Sequence, residues 1–158
     1  MPSSQPSDAR LRLIAESYQR LTGKPLLSDM PQDESALRDA MWHAPFAIVA
    51  HGTEADPIFF YGNRYALQHF EMSFEEFVQL PSRLSAEPVA QDAREQALRM
   101  VAERGYIDGY SGMRVTKSGR RFMITDCTIW NLLEADGTFH GQAAIFVAQD
   151  QTNTTGEQ

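Results

Sequence analysis

The stretch Phe46-Ala-Ile-Val-Ala-His-Gly-Thr-Glu-Ala-Asp-Pro-Ile-Phe-Phe-Tyr61 decides the fold, because it holds two short apolar runs around a polar loop. The run over residues 46–51 is too short for a stable helix and is rich in strand-forming residues. Residues 58–61 have the same character, and the glycine, aspartate and proline between the runs are typical of a turn. The stretch therefore predicts two successive strands.

Three longer strands are predicted in the last third of the chain, over Tyr106–Thr116, Arg120–Leu132 and His140–Ala148. Lys117-Ser-Gly119 and Asp136-Gly137 lie between them and are typical of hairpin turns. Helical segments separate these strands from the first two. This order predicts an α+β fold, an antiparallel five-stranded sheet with helices over one face and a hollow between the layers. A small ligand would bind in that hollow.

An extra N-terminal helix is predicted over residues 8–22, where apolar residues recur at helical spacing. Its stripe consists of Leu11, Ile14, Tyr18 and Leu21. The stripe could cover the sheet of its own chain or pair with the same helix of a second copy, and the sequence leaves both open.

Further helices are predicted from Asp33 or Ser35 to Trp42, and over residues 64–70, 73–80 and 88–104. Ser73-Phe-Glu-Glu76 has the pattern of a capping box, which fixes the start of the third of these helices. A buried face of the last helix is predicted to carry Ala93, Ala97, Met100 and Val101.

The side chains of the strand Arg120–Leu132 are predicted to alternate between the two faces of the sheet along its whole length. Phe122, Ile124, Asp126, Thr128, Trp130 and Leu132 would then face one way, and Met123, Thr125, Cys127, Ile129 and Asn131 the other. Both sets are mixed in polarity, so both faces of this strand are expected to be covered, one of them by the leading helix or a partner.

The length of 158 residues suits one domain with a proper core. We predict that residues 1–7 are disordered, that residues 8–32 form the N-terminal helix and a linker, and that residues 33–149 form the domain. Residues 150–158 are predicted to be a flexible tail.

Composition excludes several classes of function. The formal net charge of −7 argues against nucleic acid as a partner. No apolar run is long enough to span a membrane and the first residues lack a secretory signal, so a cytoplasmic protein without membrane association is expected. The single cysteine cannot form an internal disulfide, and no cysteine and histidine spacing suggests a metal site.

Charged residues of the predicted sheet and helices are the first candidates for ligand binding. Arg83 and Arg114 could hold a carboxylate or phosphate in the hollow through paired hydrogen bonds. Alternatively, Arg83 bonds the carbonyl groups of a helix end, and Arg114 pairs with Asp126 on the neighbouring strand. His51 could donate a hydrogen bond into the hollow, whereas its neighbours Glu54 and Asp56 are better explained by turn capping than by a metal.

Amides, hydroxyl groups and an aromatic residue complete the candidate site. Asn131 and Gln142 are amides of the kind that orient flat heterocycles, while Cys127 is expected to be a buried filler. Trp130 is expected in the core, although it could also contact a ligand. The predicted ligand-binding residues are His51, Asn63, Arg83, Ser85, Arg114, Asp126, Trp130 and Gln142.

A family resemblance is carried by residues 42–59, 61–67, 81–87, 105–110 and 129–133. These segments, in this order, resemble bacterial stand-alone MEKHLA-domain proteins, and the element order resembles the PAS domain. The same PAS-like module ends the plant class III homeodomain-leucine zipper proteins. The resemblance covers about residues 35–148. It implies a sensory or dimer-regulating module and no enzymatic activity.

The resemblance also allows the known PAS cofactors to be tested against the residues. The flavin-binding branch with a cysteinyl photocycle needs a Gly-x-Asn-Cys-Arg-Phe-Leu-Gln motif, and Pro81-Ser-Arg-Leu-Ser-Ala-Glu87 contains no cysteine. Haem-binding members take a histidine from the long helix, and Pro88–Arg104 has none. The sequence therefore disfavours haem and a cysteinyl-flavin photocycle, leaves non-covalent flavin open, and does not identify the ligand.

The expected function is a small-molecule-binding sensory module that acts as a homodimer through a linked conformational change. A ligand-free dimerisation module is the alternative. A small α+β enzyme that uses His51, Arg114 and Asp126 in the same hollow is a further alternative.

Overall fold

The computed structural model describes residues 6–86 and 88–150. Its helices are α1 (Asp8–Thr22), α2 (Glu34–Trp42), α3 (Arg64–Phe70), α4 (Phe74–Phe77) and α5 (Pro88–Arg104), with a 3₁₀ turn at Ser82–Ser85. Its strands are β1 (Ala47–His51), β2 (Phe59–Gly62), β3 (Tyr106–Val115), β4 (Arg121–Leu133) and β5 (Phe139–Asp150). No helix in these ranges is long and apolar enough to cross a membrane.

The strands form one antiparallel five-stranded sheet in the order β2-β1-β5-β4-β3. The predicted α+β fold is confirmed, and the strand ends lie within two residues of their predicted positions. Because β5 returns between β1 and β4, the two halves of the sheet meet at the centre. Helices α3, α4 and α5 pack on one face of this sheet.

Helix α1 covers the opposite face of the sheet. The indole Nε1 of Trp130 donates a hydrogen bond to the carbonyl oxygen of Ile14 at 3.2 Å. The ring of Tyr18 meets the indole edge-on, with the ring centroids 4.9 Å apart. The hydroxyl of Ser17 bonds both the carbonyl oxygen and the amide of Leu133. Of the two alternatives for the stripe of α1, the structure therefore shows coverage of its own sheet.

A β-bulge at Asp126 makes the predicted alternation of β4 wrong. Asp126 has φ = 52°, and the pairing of β4 with β5 shifts between Thr125 and Thr128. The extra residue moves the following side chains to the other face. Ile124 and Cys127 consequently face the same helical layer, although they were expected on opposite faces. Asp126 itself is exposed.

The buried face of α5 also differs from the prediction. Ala97 and Val101 are buried as expected, but Ala93 and Met100 are exposed. The stripe is rotated because Arg94, one turn before Ala97 and Leu98, faces inward. The helical layer thus presents a cation to the sheet.

The end of α4 and the start of α1 differ from their predictions. The capping box of α4 is present, but the helix ends at Phe77 because the Leu80 carbonyl accepts from Phe59 N and Pro81 pairs with Ile58. Ser7, predicted to be disordered, accepts from Arg10 N and caps α1. Residues 1–5 and 151–158, where the rest of the disordered start and most of the flexible tail were predicted, lie outside the described residues.

Candidate functional site

A cavity of about 50 Å³ lies between the sheet and the helical layer. Most of its wall is apolar, and the residues that close it include Phe59, Phe70, Leu98, Ile124, Ile129 and Phe146. Its polar lining comes from both layers and comprises His51, Ser85, Arg94, Arg114 and Gln142. A mainly apolar chamber with a few convergent polar groups is the usual form of a small-molecule site.

A row of polar side chains crosses the sheet beside the cavity. His51 of β1 lies opposite Gln142 of β5, and Gln142 lies opposite Asn131 of β4. Directly opposed residues share a face, so the three side chains meet. The Gln142 amide nitrogen donates to Asn131 Oδ1 at 3.1 Å and to the Leu98 carbonyl at 3.3 Å. Asn131 donates to the Val101 carbonyl at 3.0 Å, so the row bonds the sheet to α5.

The row continues from His51 into the 3₁₀ turn. His51 Nδ1 lies 2.9 Å from the Ser82 hydroxyl, and Arg94 Nη2 donates to the same hydroxyl at 2.6 Å. The Ser82 amide bonds the Pro57 carbonyl, and Ser85 donates to the Ser82 carbonyl. The turn is therefore held against both the β1–β2 loop and α5.

The hydrogen bonds fix the tautomer of His51. Since the Gln142 amide nitrogen is used by Asn131 and Leu98, its oxygen faces His51 Nε2 at 3.1 Å. That oxygen only accepts, so Nε2 carries the proton and Nδ1 accepts from the Ser82 hydroxyl. Burial, followed by the nearby charge of Arg94, lowers the pKa of His51 from 6.5 to about 4, although the Gln142 bond and the charge of Glu54 oppose the shift. The imidazole is consequently neutral at neutral pH.

This lowered pKa predicts a pH-dependent stability. Between pH 6.5 and about 4 the unfolded chain binds a proton at His51 that the folded chain does not bind. The free energy of unfolding should therefore fall by ~3 kcal/mol more in the wild type than in His51→Gln as pH is lowered through this window. Urea unfolding at a series of pH values measures the difference. Parallel curves for the two proteins would contradict it.

The predicted site residues separate into two groups. His51, Ser85, Arg114 and Gln142 line the cavity. The others, described below, lie outside that lining. Asn131 was named with Gln142 as an amide of interest, and it joins the polar row without lining the cavity itself.

The remaining predicted residues have other surroundings. Arg83 is exposed and bonds Asp56, not the helix-end carbonyls of the alternative interpretation. Asp126 lies on the bulge, and Arg114 is paired across the strands with Phe122, so the expected ion pair between Arg114 and Asp126 is absent from the described contacts. Trp130 lies in the core under α1, and Asn63 bonds backbone groups around the start of α3.

Sequence reasoning missed two polar residues of the site, Arg94 and Ser82. Arg94, Ala97 and Val101 are spaced three and four residues apart, so they share one face of α5. The prediction left Arg94 out of this face because it is charged. Ser82 lies in a short polar segment with no periodicity, so only the contacts of the folded chain reveal it. Cys127 was expected as a filler and lines the cavity, where burial raises its pKa to about 12.

The cavity does not fit a flavin. An engineered cavity that binds a single benzene ring measures about 150 Å³, whereas this one measures about 50 Å³. The tricyclic ring of a flavin would therefore displace the core residues around it. The thiol of Cys127 faces the cavity from the sheet, and its raised pKa keeps it protonated.

A surface groove of about 390 Å³ lies outside the cavity, between the β1–β2 loop and α5. The groove and the cavity share His51, Arg94, Leu98 and Gln142. These four side chains therefore form the layer between the interior and the surface. A molecule that enters from the groove would have to pass the bonds of Arg94 and His51.

Comparison of sequences places the chain among known domains. Residues 8–150 match the family model of the MEKHLA domain, so the matched region includes α1, which the sequence analysis separated from the domain. The homeobox-leucine zipper protein HOX10 of Oryza sativa subsp. indica is 28% identical over 137 residues, covering 86% of this chain and 16% of that protein. The homeobox-leucine zipper protein ATHB-14 of Arabidopsis thaliana is 25% identical over 150 residues, covering 93% of this chain and 18% of that protein.

These curated relatives are plant proteins, and the chain spans less than a fifth of their length. They support the family and give no support to the bacterial stand-alone type that the motifs suggested.

Solved structures show the same fold. The PAS domain of a protein from Colwellia psychrerythraea superposes with a TM-score of 0.63 at 17% identity, over 75% of this chain and 97% of that one. The LOV domain of a blue-light activated histidine kinase from Erythrobacter litoralis gives 0.56 at 20% identity, over 69% and 100%. At these identities the likeness concerns the fold.

Proposed function

The chain belongs to the MEKHLA domain family, and we propose that it is a PAS-like sensory module that binds a small molecule between its sheet and helices. The observation that carries the proposal is the cavity, whose polar lining comes from β1, β3, β5, the 3₁₀ turn and α5. A ligand in this position contacts both layers. It would favour whichever arrangement of the layers gives it better contacts.

The polar row explains how occupancy would change the protein. The bonds from Gln142 to Leu98 and from Asn131 to Val101 are polar contacts between the sheet and α5 beside the cavity. A ligand that takes over one of these bonds changes the position of α5 on the sheet. The proposed signal is this movement.

We also propose that the protein is a cytoplasmic homodimer without enzymatic activity, and that its partners include neither nucleic acid nor membrane. The stripe of α1 is buried in its own chain, so a dimer would use a different surface.

The enzyme alternative receives no support from the geometry. It requires His51, Arg114 and Asp126 to converge on one site. His51 and Arg114 line the cavity, but Asp126 lies exposed on the bulge of β4.

Native mass spectrometry of freshly purified protein, with an absorption spectrum, tests the proposal. We expect the mass of a dimer and an additional small-molecule mass that denaturation releases. Ala144 lies between Gln142 and Phe146 on the cavity side of β5, so Ala144→Val should fill the space and abolish the additional mass. Ala148→Val, on the same strand outside the cavity, is the matched control.

Retention of the small molecule by Ala144→Val would contradict binding in the cavity. A folded wild type that carries no small molecule and binds none from a compound collection would support the ligand-free dimerisation module instead. A monomeric mass would overturn the proposed dimer alone.

A further inference from the structure

We infer that the ligand of the cavity is a small organic carboxylate, held jointly by Arg94 and Arg114. The inference rests on the proposed function and specifies the chemical class of its ligand. Both guanidinium groups line the cavity, Arg94 from α5 and Arg114 from β3. Each residue is only 7% exposed.

Neither arginine has a carboxylate partner within the described residues. Arg94 donates to the Ser82 hydroxyl. Arg114 donates to the Met113 carbonyl at 2.9 Å and lies over the Tyr110 ring at 5.9 Å. A guanidinium has five N–H donors, so most of those at the cavity have no acceptor from the described part of the chain. Arginine is almost never this deeply buried without a paired anion.

Burial and the positive charge of Arg114 disfavour the charged form of Arg94. Together they lower its pKa to about 10, although Glu95, Tyr110 and Asp56 oppose the shift. Arg94 nevertheless stays charged at neutral pH. Two like charges beside an apolar chamber are therefore a fixed feature of the ligand-free protein, and an anion between them would offset both.

The shape and walls of the cavity select among anions. A carboxylate accepts two parallel hydrogen bonds from a guanidinium. The volume of about 50 Å³ limits the ligand to a few heavy atoms. Ile124, Ile129 and Phe146 then favour a short hydrocarbon tail over a second charged or polar end. A short-chain monocarboxylate meets these conditions better than inorganic phosphate.

A shared ligand would also link the two layers directly. Arg94 belongs to the helical layer and Arg114 to the sheet. A carboxylate that accepts from both would draw α5 towards β3, while competing with Ser82 for the Arg94 donor. The movement of α5 towards β3 would be the conformational change of the proposed sensor.

Titration calorimetry with sodium propionate, at constant ionic strength, tests the inference on the full chain. Propionate should bind, and its uncharged analogue propionamide should bind at least about tenfold more weakly. Arg114→Gln should weaken propionate binding by at least about tenfold. Arg83→Gln removes an exposed arginine outside the cavity and should leave the affinity unchanged.

Thermal unfolding checks the binding by a second route. Propionate should raise the Tm of the wild type and leave the Tm of Arg114→Gln unchanged. A rise in the Tm of Arg114→Gln as large as that of the wild type would overturn the inference, because the ligand would then bind without this guanidinium.

The ligand experiments separate this inference from the proposed function. If neutral molecules bind, Ala144→Val blocks them and propionate does not bind, the carboxylate is overturned and the sensor stands. If phosphate or chloride binds as tightly as propionate, the site takes inorganic anions and the inference is overturned. If nothing binds to a folded protein, both proposals fail.

Discussion

Replacement of Gly141 with alanine should lower the free energy of unfolding by at least ~3 kcal/mol. Gly141 has φ = +122°, a conformation that side chains rarely adopt. An added Cβ would also lie 2.0 Å from the carbonyl oxygen of His51. The obstacle is backbone, so β5 would have to move away from β1. Chemical denaturation measures the loss.

Gly137→Ala is the matched control for Gly141→Ala. Gly137 also has a positive φ, at +90°, but an added Cβ would meet nothing within 4 Å. It should therefore show only the conformational cost, ~1–2 kcal/mol. Equal losses at the two positions would contradict the close approach of β5 to β1. Gly141→Ala should also disturb the neighbouring contact of His51 with Gln142 and so impair the site.

Removal of the Asn63 side chain is the second large effect. Its Oδ1 accepts from Ile48 N at 3.0 Å and Ala66 N at 3.1 Å, and its Nδ2 donates to the Met41 and Phe46 carbonyls. Asn63→Ala leaves these groups without their partner in a fully buried position. We expect a loss of ~3–5 kcal/mol in the free energy of unfolding, again by chemical denaturation.

Asn63→Ser separates the helix cap from the other bonds. Serine can cap α3 but cannot reach Ile48, Met41 and Phe46 together. Asn63→Ser should recover only the contribution of the helix cap, which is ~1 kcal/mol of the free energy of unfolding lost in Asn63→Ala. Full recovery would show that the bonds to Ile48, Met41 and Phe46 contribute nothing. Either way, Asn63, first proposed as a ligand contact, belongs to the framework behind the site.

The elements were predictable because their signals are local. The capping box at Ser73 and the turn at Asp136-Gly137 each involve residues within one short segment. Short apolar runs bounded by turn residues identified the strands in the same way. Their order along the chain then indicated the layered fold.

The site was only half predictable because it depends on strand register. His51 and Gln142 are 91 residues apart, and nothing near either of them in sequence shows that they are opposed. The bulge at Asp126 is equally invisible, because a non-glycine residue stands in a left-handed conformation. Arg94 was missed for a different reason. A charged residue on an amphipathic helix is normally assigned to solvent.

Ile129 and Trp130 are consecutive residues of β4, and their side chains lie on opposite faces of the sheet. Ile129 forms part of the cavity wall, and the indole of Trp130 supports α1 on the other side of the sheet. A single peptide unit therefore joins the interior chamber to the outer helix. If a bound ligand displaces β4 at Ile129, Trp130 moves with it and changes the position of α1. Occupancy of the interior can therefore alter the outer surface of the protein.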